Sequence, residues 1–147
     1  MNKKLEKIIV ATNLLNSAKI TKMEDADKFT TIKAMKVLVP IANEYDGFLT
    51  LTRDKLKPEN FDEMQAKAQK WQSEGENTTL TETERIEINK FFTDYQQSIE
   101  ECIKEEVAKE IELDYNPLPE DAFMQLAASN PDWDLRQIMA VEEVLVF

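Results

Sequence analysis

Along most of this chain the apolar positions recur at intervals of three and four, the rhythm of helices that bury one face. From Asn2 to Asn16 the positions Leu5, Ile8, Ile9, Thr12 and Leu15 fall on one side of a helix, with Lys3, Lys4, Glu6 and Lys7 between them. Residues 16–24 read as a connection, and Asp25 is suited to cap the next helix. From Asp25 to about Leu56 the stripe Phe29, Ile32, Met35, Val39, Ala42, Tyr45 and Leu49 predicts one long helix, and Leu38, Ile41 and Phe48 widen its seam enough for two packing neighbours. Pro40 stands mid-way, where its missing N–H and its ring predict a kink or a break.

Lys57-Pro58-Glu59-Asn60 reads as a turn, with Pro58 in the first position of a helix that runs to about Ser73 and buries Phe61, Met64, Ala68 and Trp71. Residues 74–79 hold no apolar side chain and are expected to form a mobile loop. Thr81 followed three residues later by Glu84 is a capping-box signature. The stripe Ile88, Phe91, Phe92, Tyr95, Ile99, Cys102, Ile103 and Val107 then predicts a second long helix with an acidic outer face.

After Glu110 the period changes to two: Ile111, Leu113 and Tyr115 alternate with Glu112 and Asp114, which is strand spacing. Residues 119–126 read as a short helix and Asn130-Pro131-Asp132 as a turn. Leu135, Ile138, Met139, Val141 and Val144 then read as helical, although Val144-Leu145-Val146-Phe147 fits equally a strand paired with Ile111 to Tyr115. In either form the apolar end should dock on the core or on another subunit. The expected fold is mainly α, an antiparallel long-helix hairpin extended into a small bundle, with a short β element near residues 111–115 and the C-terminus. One domain is expected, with an N-terminal helix and connection over 1–24, the hairpin over 25–110 and a C-terminal cap over 111–147.

Composition narrows the chemistry. The 147 residues include no His, one Cys and two Gly. Zinc sites of the common kinds and imidazole-activated nucleophiles therefore lack their side chains. Cys102 has no disulfide partner and falls at an apolar helical position, which predicts a packing thiol and a reducing, cytoplasmic setting. Neither Gly47 nor Gly75 belongs to a phosphate-binding loop. The apolar run Ile8-Ile9-Val10 is too short for a signal-peptide core, and no segment reaches the roughly 18 apolar residues of a membrane helix.

The formal net charge is −11, unevenly placed along the chain. Residues 1–70 hold 13 basic and 10 acidic side chains, a balance of +3; residues 71–147 hold 5 and 19, a balance of −14. Such a surplus of carboxylates disfavours direct binding of nucleic acid and favours either a solvated acidic surface or docking on a basic partner. Carboxylates are also the one abundant reactive group. Glu105-Glu106-Val107-Ala108-Lys109-Glu110 approaches the Glu-Glu-x-x-Glu pattern of magnesium-dependent helical nucleotide hydrolases but is one residue too long, although Glu106 and Glu110 would share a face of a continuing helix. The aromatic residues Trp71, Phe91, Phe92, Tyr95 and Trp133 lie at core spacing or beside turns and read as packing groups, as do the scattered methionines. No residue is assigned a catalytic, cofactor-binding or metal-binding role.

The order of elements resembles a group of small phage or prophage-encoded helical proteins of unassigned function. The likeness rests on Lys33-Ala34-Met35-Lys36-Val37-Leu38, then Pro40 and Glu44-Tyr45, Phe91 to Glu110, Glu110-Ile111-Glu112-Leu113 and the closing Val141-Glu142-Glu143-Val144-Leu145. It implies a structural or assembly role in head or tail morphogenesis. The leading expectation is a non-enzymatic helical interaction or assembly protein that meets a protein partner or a second copy of itself. Two others stand beside it: a carboxylate-metal nucleotide hydrolase, and an acidic inhibitor that occupies a basic nucleic-acid-binding protein.

Overall fold

A computed structural model describes residues 1–147 and is mainly α, with six helices and one two-stranded antiparallel sheet. In chain order these are β1 (Asn2–Lys4), α1 (Leu5–Asn16), α2 (Asp25–Leu56), α3 (Phe61–Glu74), α4 (Glu82–Val107), β2 (Glu110–Glu112), α5 (Glu120–Ser129) and α6 (Leu135–Leu145). The chain divides into two compact units, residues 1–47 with 106–147, and residues 48–105. Both boundaries fall inside long helices, α2 and α4, and not at the ends of the expected hairpin over 25–110.

The first unit holds a continuous apolar core. Ile8 of α1, Leu38 of α2, Leu126 of α5 and Val141, Val144 and Leu145 of α6 are at most 1% exposed. At roughly 1.5–3 kcal/mol for each large side chain taken from water, these are the main support of the unit. Thr12, counted with the apolar stripe of α1, is fully buried because its hydroxyl donates to the Ile8 carbonyl at 2.6 Å.

Asn2, Lys3 and Lys4 do not begin α1. They form β1, paired with β2 in the register Asn2 to Glu112, Lys3 to Ile111 and Lys4 to Glu110. Lys4 thus stands opposite Glu110, a favourable charge pair across the strands. The ribbon is extended by bonds from Leu5 N–H to the Lys109 carbonyl and from Leu113 N–H to the Met1 carbonyl, both 2.8 Å. The strand expected near residues 111–115 is present as β2, but its partner is the N-terminal segment.

The C-terminal residues are helical through Leu145, which decides between helix and strand for that segment. The end of the chain docks on the core: Leu118 N–H donates to the Leu145 carbonyl at 2.7 Å and the Tyr115 hydroxyl donates to the Val144 carbonyl at 2.8 Å. The ring of Tyr115 also lies 5.6 Å from that of Phe147. Burial pushes the Tyr115 hydroxyl well above the usual phenol range.

Helix α2 is unbroken through Pro40. Its first helical bond runs from Lys28 N–H to the Glu24 carbonyl, so Glu24 holds the cap position expected for Asp25, which sits in the first turn. The carbonyl of Lys36 has no helical donor because Pro40 lacks an N–H, and both residues are exposed, so the missing bond falls on the solvent side of the helix.

The second unit contains the end of α2, α3, a 3-10 turn at Gly75–Asn77 and α4 up to Glu105. Within it α2 and α4 run antiparallel: the Tyr95 hydroxyl donates to the Arg53 carbonyl at 2.7 Å, and Cys102 adjoins Phe48 and Thr52. Helix α3 begins at Phe61, three residues later than the position of Pro58 suggests, because Pro58 to Phe61 is itself a turn closed by a 3.1 Å bond. The segment expected as a loop is shorter than 74–79, since Glu74 ends α3 and Gly75 makes the stop with φ of 57°. The Thr81 hydroxyl accepts from Glu84 N–H at 3.2 Å, which is the expected cap of α4.

Candidate functional site

The acidic residues singled out in the sequence are not brought together. Helix α4 ends at Val107, so Glu106 belongs to its last turn while Glu110 lies in β2, and the shared helical face that would have joined them does not exist. Glu106 pairs instead with Lys109. No group of three or more Cys, Asp or Glu side chains lies close enough to share a metal ion. Nor does the charge gradient along the chain become a contrast between the units. The first unit holds ten basic and sixteen acidic side chains, a balance of −6, and the second holds eight and thirteen, a balance of −5.

The aromatic residues of the second unit pack on one another. Phe61 lies 6.3, 6.0 and 5.5 Å from the rings of Phe91, Phe92 and Tyr95, and Phe91 meets Phe92 edge-on at 5.1 Å. Contacts at these separations each contribute about 0.5–1.5 kcal/mol beyond burial, so this cluster serves packing. Cys102 is half-buried beside Phe48 and Leu56 and makes no disulfide.

The first unit presents a different kind of surface on α1 and α6. Helix α6 starts at a full capping box: Asp134 accepts from Gln137 N–H, and the Gln137 side chain accepts from Asp134 N–H, both at 2.9 Å. So anchored, α6 turns Ile138, Val141, Val144 and Leu145 toward the core and leaves Leu135 and Met139 outside, 73% and 59% exposed. Phe147, 46% exposed, borders the same recess as Met139, and Val10 of α1, 49% exposed, borders an adjoining one beside Arg136.

The first recess, of about 510 Å³, has Lys3, Lys7, Arg136, Glu142 and Glu143 around Met139 and Phe147; the adjoining one, of about 350 Å³, lies between Val10, Leu14 and Arg136. Lys7 is paired with Glu143 at 3.7 Å, whereas Lys3, Arg136 and Glu142 have no ion pair. The surface is therefore apolar at its centre and carries unpaired charges of both signs at its edge.

On the far side of α1 the connection over 17–24 is held to α5. Asn130, 8% exposed, accepts from Lys19 N–H at 2.7 Å and donates to the carbonyls of Lys19 and Leu126 at 2.8 and 2.9 Å. Ser129 accepts from Lys22 N–H at 2.9 Å and donates to the Gln125 carbonyl at 2.8 Å. The sequence marks this place only as a turn, because nothing local to Asn130 names a partner 111 residues away.

Comparison of the chain with protein-family models, curated proteins and solved structures finds no match. No helix is long and apolar enough to cross a membrane.

Proposed function

We propose that this chain is a non-enzymatic helical interaction or assembly protein, and that it makes contact through the α1–α6 face of its first unit. The observation that carries this reading is the group of exposed apolar side chains Leu135, Met139, Phe147 and Val10 along two adjoining recesses with charged edges. Scattered exposed apolar residues need no explanation, but several of them gathered around recesses with a polar edge are the usual form of a contact surface.

The edge favours a second copy of the chain. An antiparallel pairing of two α6 helices centred on Met139 brings Arg136 to the level of Glu142 and Glu143 of the other copy, and the same pairs form twice about the two-fold axis. The resemblance to phage-encoded helical proteins would place such a contact in particle assembly, where paired subunits serve as building blocks.

Deleting residues 140–147 is no test of this reading, because Val141, Val144 and Leu145 belong to the core. Charge reversal is the better test. Arg136→Glu and Glu142→Arg should each weaken self-association in light scattering, and the double variant should recover it. Equal association in all four proteins, or none in any of them, would contradict the proposal.

A further inference from the structure

An apolar groove of about 520 Å³ lies elsewhere on the first unit, between α2 and the segment that leaves α1. Leu15, Ala18 and Ile20 form one wall, and Ile32, Met35 and Val39 form the other. The size falls within the range of about 300–1,000 Å³ that small organic ligands occupy. Along α2 the groove extends from Thr31 to Pro40, a rise of about 14 Å at 1.5 Å per residue.

Its polar groups are few and distinct. The Thr31 hydroxyl is used within the helix, donating to the Asp27 carbonyl at 2.9 Å. Lys36, in the last turn before Pro40, borders the groove. The other lysines of this part of α2 are engaged: Lys28 pairs with Asp25 at 3.9 Å and Lys33 lies 4.8 Å over the ring of Phe29. Lys36 has no ion pair, although the chain carries eleven more acidic than basic groups. A free ammonium beside an elongated apolar trough is complementary to an anionic head with an aliphatic tail.

We infer that the groove between α2 and residues 15–20 binds a small anionic amphiphile, a medium-chain carboxylate, with its tail along Met35 and Val39 and its carboxylate at Lys36. A peptide helix is a poorer occupant, since one lysine and a trough of this length offer it only about two and a half turns of contact.

Titration calorimetry with octanoate, decanoate and dodecanoate below their micellar concentrations tests the inference on the intact chain. Saturable binding should tighten about fourfold for each two added methylenes, the value for groups half removed from water. Lys36→Gln should weaken decanoate about two- to fivefold, the range of an exposed ion pair, and leave decanol unchanged. Ala18→Phe fills the groove from its wall and should abolish both, with a circular dichroism spectrum like that of the parent. Absence of saturable binding, or binding insensitive to Ala18→Phe in the folded variant, would overturn the assignment. Equal loss of decanoate and decanol in Lys36→Gln would overturn the role of the ammonium. Shifts of the groove resonances on raising protein concentration alone would overturn it in favour of a second copy as the occupant.

Discussion

Replacing Asn130 by Ala should destabilise the protein by about 2–4 kcal/mol, since three hydrogen bonds with a net value near 1 kcal/mol each are lost and the Leu126 carbonyl is left buried. The two bonds to the Lys19 backbone are only part-buried, which keeps the cost below the full desolvation of every group. Asn130→Asp separates donor from acceptor: it retains the oxygen that accepts from Lys19 N–H but sets a carboxylate against two carbonyls. At neutral pH this variant should be at least as unstable as Asn130→Ala. The carbonyls disfavour the charged form, so the introduced carboxyl should have a raised pKa in the folded state, and part of the loss should return as the pH falls and it becomes a donor. Urea denaturation followed by circular dichroism measures all three proteins, with the slope unchanged if only the native contact is altered. A loss below about 0.5 kcal/mol for Asn130→Ala would refute the assignment of this side chain as the tie between residues 19 and 126, because that is the lower limit for even one net hydrogen bond.

Tyr115→Phe should cost about 0.5–1.5 kcal/mol at neutral pH through the lost bond to the Val144 carbonyl. In the parent the neutral phenol is favoured by burial, so the folded pKa exceeds the unfolded value near 10; stability is intact below that pH and declines above it, a dependence that denaturation across alkaline pH should find reduced in the variant. The two glycines should respond in opposite directions. Gly47 lies inside α2 with open space where an added methyl group would stand, so Gly47→Ala should stabilise by about 0.5–1 kcal/mol, whereas Gly75→Ala, at φ of 57°, should destabilise by about 1 kcal/mol in thermal unfolding. Pro40→Ala restores a donor to the Lys36 carbonyl and should raise stability by about 1–3 kcal/mol; an unchanged or lower melting temperature would show that the ring contributes packing in its groove that offsets the missing bond.

The helices were legible where an apolar stripe persisted for many turns. Met35 and Val39, or Ile88 and Ile99, could be placed because neighbours on both sides repeat the same phase. The three residues of β1 could not, since Asn-Lys-Lys shows no alternation and becomes a strand only because residues 110–112 are there to pair with it. The end of α4 was similarly hidden: the helical rhythm runs on past Val107 in sequence, but Lys109 supplies its carbonyl to Leu5 across the ribbon.

The exposed apolar face of α6 was legible in content and not in orientation. Leu135, Ile138, Met139, Val141 and Val144 read as one helical set, and apolar residues lie on so many sides of this eleven-residue helix that its buried face cannot be chosen from spacing alone. Packing on α1 makes the choice, taking Val141 and Val144 inside and leaving Leu135 and Met139 in water. The charge gradient along the sequence is lost in the fold because the first unit joins residues 1–47, which are mildly basic, to the acidic residues 106–147.

Sedimentation velocity on the full chain and on Met139→Asp, across a concentration series, tests the contact surface most directly. The parent should pass from the mass of one 17.0 kDa chain toward that of two as concentration rises. Met139→Asp, which alters an exposed side chain at the larger recess, should keep its helical spectrum and associate at least about tenfold more weakly, in line with about 1.5 kcal/mol or more for each Met buried. A parent that remains a single chain at every concentration, or a variant that associates as the parent does, would contradict self-association through the α1–α6 face.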